Sequence, residues 1–203
     1  MLYIDFHTHH IPAGRDVVAV VDGRDTWGIH PWRAAEAFVV PDLSTVFAIG
    51  ECGLDGVRGP SMDVQERVFL EQVRLGEQTG KPLVIHCVKA LDRLLSLHKA
   101  LKPQQPWMFH GFRGKPQQLR SLLDSGFYVS FGFLHNEESL RICPADRLLL
   151  ETDDDSEHPI AELYNNVARE RGIDVSTLCD EMAENYRAFF RREPLERGEK
   201  VKN

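Results

Sequence analysis

The sequence contains few cysteines and no long apolar run. Its four cysteines in 203 residues form no C-x-x-C pair, so neither a zinc ribbon nor a disulfide framework is indicated. No stretch approaches the ~20 consecutive apolar residues of a membrane span. The chain enters a strand-like segment at Tyr3 without a basic region or a cleavage site before it. These absences predict reduced thiols, no membrane partner and a cytoplasmic protein.

An excess of basic residues is absent as well. The formal charge is −7, with 24 Lys and Arg against 31 Asp and Glu, which argues against binding nucleic acid by overall attraction. The charge is unevenly distributed, because segment 81–120 contains eight basic residues and a single acid, Asp92. We therefore expect a local basic surface, which includes Lys89 and Arg113, on an otherwise acidic protein.

Side chains that bind metal ions follow short apolar segments at five points along the chain. His7 and His9 come first, and in a strand residues i and i+2 lie on one face, so these two imidazoles can bind one ion. The later apolar segments end before Glu51, His86, His110 and, last, Glu151-Thr152-Asp153. The parallel strands of a (β/α) barrel bring their C-terminal ends to one rim. The sequence therefore predicts one metal site composed of His7, His9, Glu51, His86, His110 and Asp153.

This combination of ligands suits particular ions and reactions. Four imidazoles and two carboxylates suit zinc, and with a bridging carboxylate they also suit manganese or magnesium. We expect two divalent ions, with Glu51 as the bridge. Two such ions activate a water molecule and stabilise the attacking and leaving oxygens in phosphoryl hydrolysis. Asp153 is expected to hold or deprotonate that water.

The pattern of apolar residues predicts an α/β fold. Helices are expected over 62–80, 90–101, 116–125, 160–171 and 175–191, and strands over 3–9, 17–21, 27–32, 46–50, 82–85, 106–109, 127–131 and 148–150. No helix fits between the first three strands. We therefore predict a TIM-type (β/α) barrel, compressed or incomplete in its first quarter, with seven to eight mostly parallel strands. It should form a single domain over 1–191, followed by a frayed, charged tail over 192–203.

Seven motifs, taken in order, resemble those of a known family. They are D-F-H-T-H at 5–9, G-I-H-P at 28–31, I-G-E-C-G-L-D at 49–55, V-I-H at 84–86, F-H-G-F-R-G at 109–114, L-E-T-D at 150–153 and N-Y-R-A-F at 185–189. The set resembles the TatD-like metal-dependent hydrolases, which are amidohydrolase-type barrels. The chain is shorter than the usual member, mainly between His10 and Trp27.

The resemblance implies a metal-dependent deoxyribonuclease that acts on DNA ends or short oligonucleotides. It places His7, His9, Glu51 and Asp153 around one ion, and Glu51, His86 and His110 around the second. The substrate would be single-stranded DNA or an oligonucleotide, and no obligate protein partner is evident.

Three further residues are expected to contact the substrate. The family usually carries an arginine two residues after its fourth ligand, where this chain has Val88, and Lys89 comes one position later. Arg113 replaces the small polar residue of the family's H-C-F-S-G motif and is expected to restore the missing phosphate contact. His30, near a predicted strand end, is expected to touch the substrate.

Two other functions stay open at this point. The same ions polarise a carbonyl equally well, so an amide, an ester or a lactone is an alternative substrate. The third possibility is a metal-binding barrel without catalytic activity. The intact set of six ligands, including Asp153, argues against that third reading.

Overall fold

All eight strands in the described residues, which are 1–12, 14 and 16–194 of this computed structural model, are parallel. The strands are β1 Tyr3–Thr8, β2 Val17–Val21, β3 Thr26–Trp27, β4 Ala48–Asp55, β5 Leu83–Val88, β6 Trp107–Phe109, β7 Tyr128–Phe131 and β8 Leu148–Leu150. The α-helices are α1 Met62–Thr79, α2 Leu91–Leu101, α3 Pro116–Asp124, α4 Glu137–Ile142, α5 Ile160–Arg171 and α6 Val175–Phe190. Short 3-10 helices cover Pro31–Arg33 and Ala145–Arg147.

The strands are ordered as in a barrel. β3 to β8 pair consecutively in one sheet, and β1 pairs with β2 in another. A parallel bridge between Thr8 and Asp153 joins the two sheets, which gives the order β2-β1-β8-β7-β6-β5-β4-β3. With helices between successive strands from β4 onwards, this confirms the predicted TIM-type α/β fold, and all eight predicted strands are present.

The first quarter is compressed, as the sequence predicts. Among the described residues no helix lies between β1 and β2 or between β2 and β3, and these last two strands do not pair. Asp25 links the two sides of this gap. Its N–H donates to Val21 O at 2.9 Å, its carboxylate accepts from Val21 N at 2.9 Å, and its carbonyl accepts from Phe47 N at 2.9 Å.

Alternation along β1 separates the core from the barrel interior. Ile4 and Phe6 are fully buried, and Phe6 stacks on Phe190 of α6 with ring centroids 6.1 Å apart. Tyr164 of α5 fixes the same strand, because its hydroxyl accepts from Ile4 N at 3.0 Å and donates to Ile4 O at 2.9 Å. Burying the side chain of Phe6 contributes about 1.5–3 kcal/mol to the free energy of unfolding. His7 follows Phe6 directly and is consequently turned to the opposite side, towards the barrel interior.

Several predicted boundaries are wrong. β4 and β5 do not end before Glu51 and His86 but continue to Asp55 and Val88, because the two strands stay paired along this length. Gly53 permits that pairing, since an added Cβ would lie 2.0 Å from His86 O. The strand predicted over 27–32 is only Thr26–Trp27, followed by the 3-10 helix at Pro31.

A further difference from the predicted elements lies in the second half of the chain. Helix α4 was not predicted, because its six residues are too few to show a helical period. Its N-cap, Asn136, accepts from Ser139 N at 3.0 Å.

Residues 195–203 of the predicted tail lie outside the described residues. No helix in the described part of the chain is long and apolar enough to cross a membrane.

Candidate metal centre

The structure brings all six predicted ligands together inside the mouth of the barrel. His7 lies on β1 and His9 just beyond it, Glu51 lies within β4, His86 within β5, His110 directly after β6, and Asp153 three residues after β8. Glu51 is the common centre, since both its oxygens contact histidines. Glu51 is 7% exposed and His7 is fully buried, whereas the side chains of His9 and Asp153 are partly exposed, so the cluster opens to water on one side.

The first group of donor atoms has the spacing of ligands around one ion. His7 Nε2 lies 3.6 Å from Glu51 Oε2 and 3.7 Å from Asp153 Oδ1. His9 Nε2 lies 3.6 and 3.5 Å from the same two oxygens. Zinc–ligand bonds of 2.0–2.2 Å in tetrahedral geometry place neighbouring donor atoms about 3.3–3.6 Å apart. These four side chains are therefore close to the arrangement that a divalent ion requires.

His7 provides an independent test of this fit. Both of its ring nitrogens are buried without a hydrogen-bond partner. An unpaired buried polar group costs about 1–3 kcal/mol, and most such groups in proteins are satisfied. A metal ion at Nε2 would remove the penalty for that nitrogen, so the residues present fit a bound ion.

The second group of donor atoms faces the other oxygen of Glu51. Oε1 lies 2.8 Å from His86 Nδ1, 2.8 Å from His110 Nε2 and 3.3 Å from His30 Nε2. The first two are hydrogen-bond distances, shorter than those in the first group. Glu51 thus divides the cluster, with Oε2 facing His7 and His9 and Oε1 facing His86 and His110.

Carboxylates that the sequence did not reveal orient the histidines. Asp55 Oδ2 lies 3.2 Å from His86 Nε2, and Glu151 Oε1 lies 3.3 Å from His110 Nδ1. Asp22 Oδ2 lies further away, 3.9 Å from His9 Nδ1, which is beyond hydrogen-bond distance. Hydrogen-bonded partners such as Asp55 and Glu151 fix the ring orientation and tautomer of histidines that bind metals. The sequence gives no signal for Asp55, because the strand predicted over 46–50 ends before it, whereas β4 continues to Asp55.

Charges within the cluster strongly perturb its titration. Burial acts to raise the pKa of Glu51, but His110, with His30 and His7, holds that pKa well below its ordinary value. Burial likewise acts to raise the pKa of Asp153, but its contact with His9 lowers it. Contacts with Asp153 and then Glu51 raise the pKa of His9 to about 10. The carboxylates are therefore ionised at neutral pH, and protons compete with metal ions for the imidazoles.

The three predicted substrate contacts lie at different depths. His30 reaches the cluster itself and accepts from Trp32 N through Nδ1 at 3.2 Å, which leaves Nε2 to face Glu51. Arg113 and Lys89 are exposed and line a cavity of about 610 Å³ together with His86, His110 and Asp153. Both cations therefore lie at the entrance to the cluster.

Comparison with known proteins gives a consistent assignment. Residues 21–191 match the family model described as TatD related DNase. The 3'-5' ssDNA/RNA exonuclease TatD of Escherichia coli (strain K12) is 32% identical over 152 residues, which are 63% of this chain and 56% of that protein. The exonuclease of the same name from Erwinia amylovora is 32% identical over 199 residues, 81% of this chain and 77% of that protein. The chain thus spans little more than half the length of several of the curated relatives that it matches.

Solved structures show the same fold at lower identity. A TatD homologue from Escherichia coli K12 has a TM-score of 0.73 at 20% identity, covering 89% of this chain and 79% of that one. A TatD-family hydrolase from Entamoeba histolytica has a TM-score of 0.72 at 18% identity, covering 87% and 76%.

Proposed function

Because the chain belongs to the TatD-related DNase family, we propose that it is a metal-dependent phosphodiester hydrolase that acts on single-stranded DNA or short oligonucleotides. The observation that carries the proposal is the spacing of 3.5–3.7 Å between the donor atoms of His7, His9, Glu51 and Asp153. The relatives named as single-stranded exonucleases support removal of nucleotides from an end of the substrate.

We assign the ligands to two divalent ions according to the two oxygens of Glu51. Oε2, with His7, His9 and Asp153, would hold one ion, and Oε1, with His86 and His110, would hold the other. When bound, such a pair of ions supplies a nucleophile from water at neutral pH and stabilises the attacking and leaving oxygens. Zinc, magnesium and manganese all remain compatible with this mixture of imidazole and carboxylate ligands.

Asp153 is the residue best placed to accept a proton. Its side chain is 26% exposed, whereas that of Glu51 is 6% exposed, so Asp153 can meet water that enters from the cavity. Its lowered pKa keeps the carboxylate ionised and able to accept a proton. Glu51, shared between both groups of histidines, holds them in place rather than contacting solvent.

Arg113 and Lys89 supply the positive charge that a phosphodiester requires. A phosphodiester transition state carries charge on its non-bridging oxygens, and a guanidinium can bind two of them at once. Both side chains line the cavity that leads to Asp153. A local pair of cations of this kind compensates for the acidic charge of the whole chain.

The experiment that tests the function combines metal analysis with substrate assays. We would measure the metal content of the purified protein and follow hydrolysis of end-labelled single-stranded DNA with and without chelator. The same preparation would be assayed on amide, ester and lactone substrates. We expect DNA shortening that stops with chelator and returns with added metal. Metal-dependent hydrolysis of a carbonyl substrate alone would replace the proposed activity, and bound metal without any turnover would indicate an inactive barrel.

A further inference from the structure

Trp32 is an exposed aromatic residue beside the candidate metal centre. Its side chain lies in the 3-10 helix that follows His30, and the residue is 45% exposed. The indole ring lies 4.5 Å from the ring of His30 and 6.0 Å from that of His86, measured between centroids. It lines the same cavity of about 610 Å³ as His110 and Asp153. An exposed aromatic surface therefore lies next to the metal ligands, close enough to contact a nucleotide whose phosphate is at the metal centre.

The orientation of this ring is fixed by the protein. Trp32 Nε1 donates to Asp55 Oδ2 at 2.6 Å, and Asp55 is only 3% exposed. The N–H groups of Val57 and Arg58 donate to the other oxygen of Asp55 at 2.7 and 2.9 Å. The guanidinium of Arg58 lies over the indole, 4.8 Å from its centroid. A ring held in this way loses little conformational freedom when a ligand stacks on it.

The surroundings define the chemistry of the occupant. The cavity has the volume of a small-molecule site and combines an aromatic surface with the cations Arg58, Lys89 and Arg113 near its walls. Proteins that bind single-stranded nucleic acid use the same combination of aromatic rings and arginine, with little preference for sequence. A flat, uncharged ring joined to a phosphodiester satisfies both features, and a nucleobase is such a ring.

We propose that Trp32, supported by Arg58, forms a stacking site for the nucleobase next to the phosphodiester that is hydrolysed. This inference rests on the proposed nuclease function and names the part of the substrate that the site recognises. It accounts for the position of an exposed tryptophan at the entrance to a cluster of metal ligands. It also predicts that recognition of the base is independent of its identity.

Trp32 could instead act only through Asp55, which also contacts His86, so the test must separate the two roles. Trp32→Phe keeps an aromatic ring but deletes the N–H group, whereas Trp32→Leu deletes the ring as well. For stacking, Trp32→Leu should raise KM on single-stranded DNA roughly five- to 150-fold, the effect of losing one base–aromatic stack. Trp32→Phe should retain most of the affinity, and metal content should be unchanged in both. Equal loss of metal and kcat in the two variants would overturn the proposal.

A substrate without bases provides the decisive comparison. An oligonucleotide of the same length, built from deoxyribose phosphates that carry no base, keeps the phosphodiester but cannot stack. We expect Trp32→Leu to raise KM on the normal strand and to leave KM on the base-free strand unchanged. An equal change on both strands would overturn the stacking site. Val39→Ala, which truncates a residue that is 88% exposed, serves as the control.

Intrinsic fluorescence reports binding without turnover. The three tryptophans differ in exposure, since Trp107 is 1% exposed and Trp27 is partly buried. Single-stranded oligonucleotide added in the presence of chelator should quench the wild type and Trp27→Phe, but not Trp32→Phe. Quenching that persists in Trp32→Phe would overturn the proposal.

The failure of the stacking site and the failure of the nuclease function give different results. Quenching that depends on Trp32, without hydrolysis of DNA, would contradict the nuclease function alone. Hydrolysis of DNA with an unchanged KM in Trp32→Leu would contradict the stacking site alone.

Discussion

Thr8 and Asp153 form a parallel β-bridge that joins the first strand of the barrel to the segment after the last. Asp153 N donates to His7 O at 3.0 Å, and His9 N donates to Asp153 O at 3.0 Å. The main chain therefore brings His7, His9 and Asp153 side by side without any contribution from the Asp153 carboxylate. Folding and chemistry can consequently be separated by substitution at this position.

Asp153→Asn should preserve the fold and remove most turnover. The φ angle of Asp153 is 54°, in the left-handed region that asparagine adopts more readily than most residues. The free energy of unfolding should therefore change little, whereas Asp153→Ala should lose an additional ~1–2 kcal/mol from backbone strain. The amide cannot accept the proton of water, so kcat on DNA should fall by about 10²- to 10⁴-fold. Steady-state kinetics and urea unfolding check both effects, and turnover of Asp153→Asn at the wild-type rate would exclude Asp153 as the base.

Glu51→Gln should reduce binding at both metal positions. One oxygen of Glu51 faces His7 and His9 and the other faces His86 and His110, so neutralising the group weakens each set of ligands. Asp55→Asn is the matched comparison, because Asp55 contacts His86 alone among the predicted ligands. It should weaken only the ion that His86 holds, by about 10- to 100-fold. Metal titrations of the two variants distinguish these outcomes, and wild-type occupancy in Glu51→Gln would place Glu51 outside the coordination sphere.

The stability of the metal-free protein should fall as the pH rises above neutrality. The pKa of His9 is raised from 6.5 to about 10 by Asp153 and Glu51, so the folded state holds a proton that the unfolded state releases. The contribution is complete below pH 6.5 and is lost as the pH rises through about 10. His9→Gln should flatten this part of the profile. Melting curves in chelator between these pH values measure it, and identical slopes in wild type and variant would contradict the assignment.

The parts of the site that follow strand periodicity were predictable. His7 and His9 share a face because they are two residues apart, and Glu51, His86, His110 and Asp153 follow apolar segments that parallel strands bring to one rim. The full length of β4 and β5 was not predictable, because their pairing beyond Glu51 and His86 depends on the close approach of Gly53 to His86 O on the neighbouring strand. The residues of either strand alone do not indicate that pairing.

The carboxylates behind the histidines were missed for a different reason. Asp22, Asp55 and Glu151 acquire their roles from the nitrogen atoms that they face, which depend on ring orientation in the folded protein. The sequence likewise predicts a strand at Trp32, whereas the hydrogen bond from Trp32 to Asp55 forms because the 3-10 helix at Pro31 brings the two side chains together. The roles of these residues therefore depend on contacts between side chains that are distant in sequence, which the pattern of apolar residues does not indicate.

Arg113 should distinguish a phosphodiester substrate from a carbonyl substrate. Its side chain is exposed at the entrance to the cluster and lines the cavity with Asp153. A fixed guanidinium stabilises charge that develops on non-bridging phosphate oxygens, whereas a neutral carbonyl gains much less from it. Arg113→Ala should therefore lower kcat/KM on single-stranded DNA by roughly ten- to a thousandfold, the ~1.5–4 kcal/mol of one charge-assisted contact. The effect on a carbonyl substrate should be small.

Two comparisons separate a specific phosphate contact at Arg113 from general attraction. Lys89→Ala should have a smaller effect than Arg113→Ala, because an ammonium is a mobile point charge that cannot bind two oxygens in a fixed geometry. Arg120→Ala removes an exposed cation of α3 that does not line the cavity with Arg113, and it should leave kcat/KM nearly unchanged. The rate on DNA should fall with added salt in the wild type and less steeply in Arg113→Ala, since fewer phosphate contacts remain. Equal kcat/KM values for wild type and Arg113→Ala on DNA would show that Arg113 is a solvated loop residue, and they would favour hydrolysis of a carbonyl substrate.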